Sequence, residues 1–111
     1  MDNKKFDLFL DRLLEKTEQA KIEWESTASR NTFLAALQDS AISISRSTPV
    51  VANVYYEFDF RDENGDVVDT VVVSEFTSDR FDKTEKIYNL AVQQSQRINQ
   101  TLDHFLEQLA A

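Results

Sequence analysis

Apolar and polar positions alternate most cleanly between Val50 and Arg61. Val50, Ala52, Val54, Tyr56, Phe58 and Phe60 fall on one side; Val51, Asn53, Tyr55, Glu57, Asp59 and Arg61 fall on the other. That is the period of a strand with one buried face. A second β-rich run, Val67 to Ser74, follows across Asp62-Glu63-Asn64-Gly65-Asp66. Asn-Gly between two such runs is the strongest short-range hairpin signal, and Gly65, the chain's single glycine, is where a left-handed turn residue is expected. A type I turn with a glycine bulge sets Phe60 opposite Val68, Phe58 opposite Thr70, Tyr56 opposite Val72 and Val54 opposite Ser74. A two-residue type I′ turn sets Phe60 opposite Asp69. The bulged register is favoured because the other brings a carboxylate to the apolar side. It places Tyr55, Val67, Val71 and Val73 on the outer face, where Asp59 and Asp69 oppose each other near Glu57.

Upstream, the period changes. From Lys4 to about Lys21, Phe6, Phe9, Leu10, Leu13 and Leu14, continued by Thr17 and Ala20, recur at helical spacing. Asp2 or Asn3 can cap the start. Ile22 and Trp24 alternate with Glu23 and Glu25 before a connecting Ser26-Thr27-Ala28-Ser29, and Trp24 reads as a core anchor at the helix end. Thr32–Leu37 is a strand with Phe33, Ala35 and Leu37 inward. Ala41–Ser45 returns with Ile42 and Ile44 inward, and Pro49 closes the next loop.

Downstream, Asp82 and Glu85 have the spacing of a capping box. Ile87, Leu90, Ala91, Gln94, Ile98, Leu102, Phe105, Leu106 and Leu109 then form the stripe of one helix about 40 Å long. Gln93-Gln94-Ser95-Gln96 interrupts its apolar face, so a bend or a change of partner is expected there. The layout is a single α+β domain over residues 1–111. It has an N-terminal helix, an antiparallel meander of three to four strands and a long C-terminal helix, in the order α-β-β-β-β-α.

Charge sharpens this layout. The net charge is −8, and residues 31–77 hold eight acids against Arg46 and Arg61. The excess therefore belongs to the sheet, which argues against direct nucleic-acid binding, since that rests on Lys and Arg neutralising phosphates. A basic protein partner or simple solubility fits better. Without cysteine there is no disulfide, thiolate metal site or cysteine nucleophile. No apolar run approaches the ~20 residues of a membrane span, and the first residues lack a signal-peptide core, so the cytoplasm is the expected location.

No chemical site emerges. His104 is the single histidine, and its neighbour Asp103 points elsewhere on a helix. The acids around Gly65 fail the calcium-loop test, since the first ligand would be Phe60. The serines beside Arg46 lack a glycine-rich turn entering a helix. No P-loop, dinucleotide fingerprint, zinc spacing or nucleophile elbow occurs. No metal, cofactor or catalytic residue is expected.

Leu13-Leu14, Thr17, Ala20-Lys21-Ile22, Trp24, Thr27 and Thr32-Phe33-x-Ala35 resemble the "LL..T..GKI.W..T" run and following aromatic strand of a group of small bacterial proteins of unknown function. Those proteins carry Gly where this chain has Ala20. The resemblance implies a cytoplasmic α-β-β-β(β)-α domain of bacterial or mobile-element origin and supplies no activity.

The expected function is a non-enzymatic interaction module that self-associates as a homodimer. Its candidate surfaces are the outer sheet face (Tyr55, Glu57, Asp59, Asp69, Val71, Val73) and the end of the last helix (Leu102, Phe105, Leu109). An acidic decoy that blocks a basic groove is the alternative, and a small-molecule-binding domain the second alternative.

Overall fold

A computed structural model describes residues 2–50 and 53–110, with the backbone alone for Ser78, Ile98 and Asn99. Helix α1 spans Asn3–Glu18 and is capped by Asp2, whose carboxylate accepts from the amides of Lys4 (2.8 Å) and Lys5 (3.2 Å). Its helical period buries Phe6, Leu10, Leu13 and Thr17, while Leu8 faces solvent. The helix ends where the amide of Lys21 donates to the carbonyl of Lys16 (2.9 Å) and that of Ala20 to Thr17 (3.1 Å). This pair of bonds is a Schellman motif, which needs a left-handed residue at its centre. Ala20 occupies that place at φ 55°.

Five antiparallel strands follow as a meander in the order β1-β2-β3-β4-β5: Trp24–Ser26, Thr32–Ala36, Ala41–Ser47, Tyr55–Arg61 and Val67–Ser74. The strand beyond the expected four is β1, which pairs Trp24 with Ala35 and Ser26 with Phe33. It is too short for periodicity to separate it from a connection. Boundaries also move, and β3 runs on to Ser47. Leu37 lies past the end of β2 and is exposed. Strand β4 begins at Tyr55 rather than Val50; Val50 is a fully exposed turn residue, and Val51 and Ala52 lie outside the described residues.

The β4–β5 turn is the bulged one. Asp62 N donates to Asp66 O (2.9 Å), Gly65 N donates to Asp62 O (3.0 Å), and Gly65 sits at φ 85°. The Asp62 carboxylate also accepts from the amides of Asn64 and Asp66. Arg61 accordingly pairs with Val67. One residue further on, Phe60 pairs with Asp69, leaving Val68 as an extra residue. This second bulge inverts the rest of the strand. Phe58 now opposes Val71, and Tyr56 opposes Val73. The expected pairs of Phe60 with Val68, Phe58 with Thr70 and Tyr56 with Val72 do not form. The shift turns Val71 and Val73 to the core instead of Thr70, Val72 and Ser74, which gains apolar burial. Asp69 is tolerated beside Phe60 because that end of the strand is exposed, and its carboxylate accepts from Thr70 N (2.8 Å).

Both helices cover one face of the sheet. Phe9 of α1 packs against Phe58 and Phe60, with ring centroids 5.8 and 5.1 Å apart. Helix α2, Ser78–Ala110, brings Phe81 and Tyr88 against Tyr56, each at 5.4 Å. It begins four residues before the expected capping box: the amide of Phe81 already bonds to the carbonyl of Thr77 (2.8 Å). No break occurs at Gln93–Gln96. Gln94 turns inward instead. Its Oε1 accepts from Trp24 N (3.2 Å) and its Nε2 donates to Thr17 O (3.3 Å), while Trp24 Nε1 donates to Thr17 Oγ1 (3.2 Å). The polar gap in the stripe thus joins α1, β1 and α2, all around a fully buried Trp24.

Candidate interaction surfaces

The first surface is the far end of α2. Among the described residues Ser95 is the last buried side chain, and every described side chain from Gln96 to Ala110 is exposed. At ~1.5 Å per residue, those fifteen residues project about 22 Å beyond the domain. Leu102, Phe105, Leu106 and Leu109 recur at helical spacing along this projection, and Leu109 is 81% exposed. His104 stands among them with Gln108 as its polar neighbour (3.4 Å). Among the described residues it meets no orienting carboxylate or nucleophile, which general acid–base chemistry would require.

The second surface is the sheet face opposite the helices. Register lays Leu34, Ser43, Asp59 and Thr70 across it in one row, and Thr32, Ser45, Glu57 and Val72 in the next. Tyr55 and Ser74 flank them on β4 and β5. Thr70 Oγ1 donates to Asp59 Oδ1 (2.8 Å). Glu57 and Asp59 stand on the same side of β4, and burial followed by the nearby Asp59 charge pushes the Glu57 carboxyl above its ordinary pKa. A groove of about 610 Å³ opens where Tyr55, Glu57, Val72 and Ser74 meet Phe76.

Three expected surface residues are placed differently. Val73 is buried and Val71 is packed against the core, both turned inward by the bulge at Val68. Asp69 lies on the Phe60 side, so Asp59 faces Thr70 and the expected carboxylate pair across the ladder does not form. Tyr55, Glu57 and Asp59 keep the outer face, and Leu102, Phe105 and Leu109 are exposed. Val72 joins the outer surface without a sequence signal of position, and Phe76 joins it with only a weak one. Phe76 did offer one hint, an aromatic residue in a junction between a strand and a helix. It is 84% exposed.

Elsewhere, Arg80 pairs with Asp7 (2.6 Å) and Lys83 with Asp11 (2.6 Å), tying α2 to α1. Among the described residues, no three His, Cys, Asp or Glu side chains come together as a metal site, and no helix is long and apolar enough to cross a membrane. No protein-family model, curated protein or solved structure matches the chain.

Proposed function

We propose that this chain is a non-enzymatic interaction module of the cytoplasm that self-associates through the C-terminal half of α2, forming a homodimer. The exposed stripe of Leu102, Phe105, Leu106 and Leu109 carries the reading. An isolated helix of about fifteen residues is marginal in water, and contiguous exposed apolar surface of this kind marks interaction sites. In sequence, Tyr88, Ala91, Ser95, Ile98, Leu102, Phe105 and Leu109 alternate steps of three and four residues. That 3.5-residue repeat is the seam of a helix pair. Tyr88, Ala91 and Ser95 spend it inside the domain, which leaves the remainder for a second copy.

Sedimentation velocity provides the test. At about 100 μM the protein should run as a dimer, and Phe105→Lys with Leu106→Lys should return it to monomer. A monomer at that concentration, or an unchanged dimer in the double variant, would sink the reading.

A further inference from the structure

Helices cover one face of the sheet, and the other carries negative charge that the chain does not balance. Glu57 and Asp59 lie side by side there, and neither forms an ion pair among the described residues. Arg46 of β3 lies on the Tyr56 side of the sheet, and three further cations are engaged elsewhere. Arg61 donates to the carbonyl of Gly65 (3.1 Å), while Arg80 and Lys83 are held by Asp7 and Asp11 on the helical side. Directly across the ladder from Asp59 is Ser43, whose side chain shares that face. Ser43 is 2% exposed, and among the described residues its Oγ is the buried side-chain oxygen without a hydrogen-bond partner. An unmade bond of this kind costs stability, and it lies two strands in from the β5 edge.

Beside this row lies the Tyr55–Phe76 groove, apolar along Val72 and Phe76 and acidic at Glu57. That is the pattern for a basic side chain, whose apolar stem packs on hydrophobic surface while its charge meets a carboxylate or an aromatic ring. Strand β5 is the edge of the sheet, eight residues long and mostly exposed. Its first half is blunted by the Val68 bulge and by Asp69; the second half, Thr70–Ser74, has neither device. Neighbouring strands lie about 4.8 Å apart, so a residue on an added strand stands about 10 Å from β4. A lysine or arginine and the Glu57 side chain can close that span between them.

We propose that the free edge of β5 and the groove beside it form a docking site for an extended basic peptide segment. A lysine or arginine of that segment seats over Glu57 and Asp59, with its stem against Val72 and Phe76. The backbone pairing supplies affinity, and the two carboxylates supply selectivity. The raised pKa of Glu57, caused first by burial and then by the Asp59 charge, agrees with a carboxylate that lacks a cation beside it.

The test is a ¹⁵N-HSQC titration of the full chain with the capped peptide Val-Lys-Val-Lys-Val-Lys-Val and its glutamate counterpart. The lysine peptide should shift the amides of β5, Tyr55 and Glu57. Its binding should weaken as ionic strength rises from about 0.01 M to about 0.15 M, where the Debye length falls from ~30 to ~8 Å. Glu57→Gln with Asp59→Asn should keep the folded spectrum and bind at least about tenfold more weakly, and Phe76→Ala should bind several-fold more weakly. Four results would overturn the proposal. They are no saturable shift by about 1 mM peptide, equal binding by the glutamate peptide, undiminished binding by the double variant, or equally tight binding of free spermine. If β5 shifts on dilution of the protein alone, a second copy occupies the edge, and the proposal fails in that way too.

Discussion

The two halves of α2 share one helical repeat and meet opposite fates. From Ser78 to Ser95 the inward positions include the buried Thr84, Ile87, Tyr88, Ala91 and Ser95, a set in which three residues are small. From Gln96 onward they include Leu102, Phe105, Leu106 and Leu109, which are larger and more apolar and yet exposed. Burial therefore does not follow hydrophobicity along this helix; it follows what is opposite. The small residues of the first half let α2 lie close to the sheet and to α1. The large residues of the second half begin where the domain runs out. A helix sized for this sheet alone could stop near Ser95; in the proposed homodimer the remaining length is what a second copy covers.

Removing the anchor of the first half should give the largest effect. Trp24 is fully buried and meets both Thr17 and Gln94 of the flanking helices. Trp24→Ala should cost about 3–5 kcal/mol in urea unfolding, enough to leave a domain of this size barely folded. Gln94 separates the two halves more finely. Gln94→Ala deserts Trp24 N and Thr17 O together, and a loss of about 1–3 kcal/mol is expected. An unfolding midpoint unchanged from the parent would show that water replaces the clasp.

Gln94 also shows what the sequence could and could not disclose. The helices, the hairpin, its turn and the inward Tyr56, Phe58 and Phe60 were legible because each rests on a local rule: a period, a cap, an Asn-Gly pair. Gln94 looked like a defect because its partners are some 70 residues away in sequence. The bulge at Val68 was equally opaque. It contains no glycine, and it exists because a global choice puts Val71 and Val73 rather than Thr70, Val72 and Ser74 under the helices. One inserted residue reversed the assignment of β5 and changed which residues form the outer surface. Tyr55, Glu57 and Asp59 were placed correctly because β4, with its clean alternation, needed no information from its neighbour.

A smaller effect, of opposite sign, is expected where α1 turns back. Ala20 holds a left-handed conformation at φ 55°, which costs a residue with a Cβ about 1–2 kcal/mol. Glycine avoids that strain but gives up more unfolded-state entropy, so Ala20→Gly should stabilise by about 0.5–1 kcal/mol. By contrast, the Phe105→Lys and Leu106→Lys pair should leave the unfolding free energy of dilute protein within about 0.5 kcal/mol of the parent, because both side chains are exposed and lie outside the core. A large loss in dilute protein would mean that the second half of α2 also supports its own domain, and the contrast between the halves would collapse.

The finest distinction lies between two carboxylates, one on each face of the sheet. Asp7, on the helical side, is bonded to Arg80, which holds its pKa below the ordinary 3.8. Its contribution is complete above that value and disappears as pH falls through the lower folded-state pKa. Glu57, on the outer face, has its pKa raised above 4.5 by burial and by Asp59. Its sign is reversed: stability is complete below 4.5 and declines as pH rises through the raised value. At neutral pH the ionised Glu57 therefore weakens the fold, and Glu57→Gln should stabilise it slightly, because solvent screens much of the effect. The gain should vanish well below pH 4.5, where both side chains are neutral. Asp7→Asn should behave inversely, destabilising at neutral pH and approaching the parent in acid. Thermal unfolding of both variants at neutral and acidic pH checks the pair. If Glu57→Gln destabilises at neutral pH, then the carboxylate is already satisfied within the chain, and the outer face is not waiting for a cation.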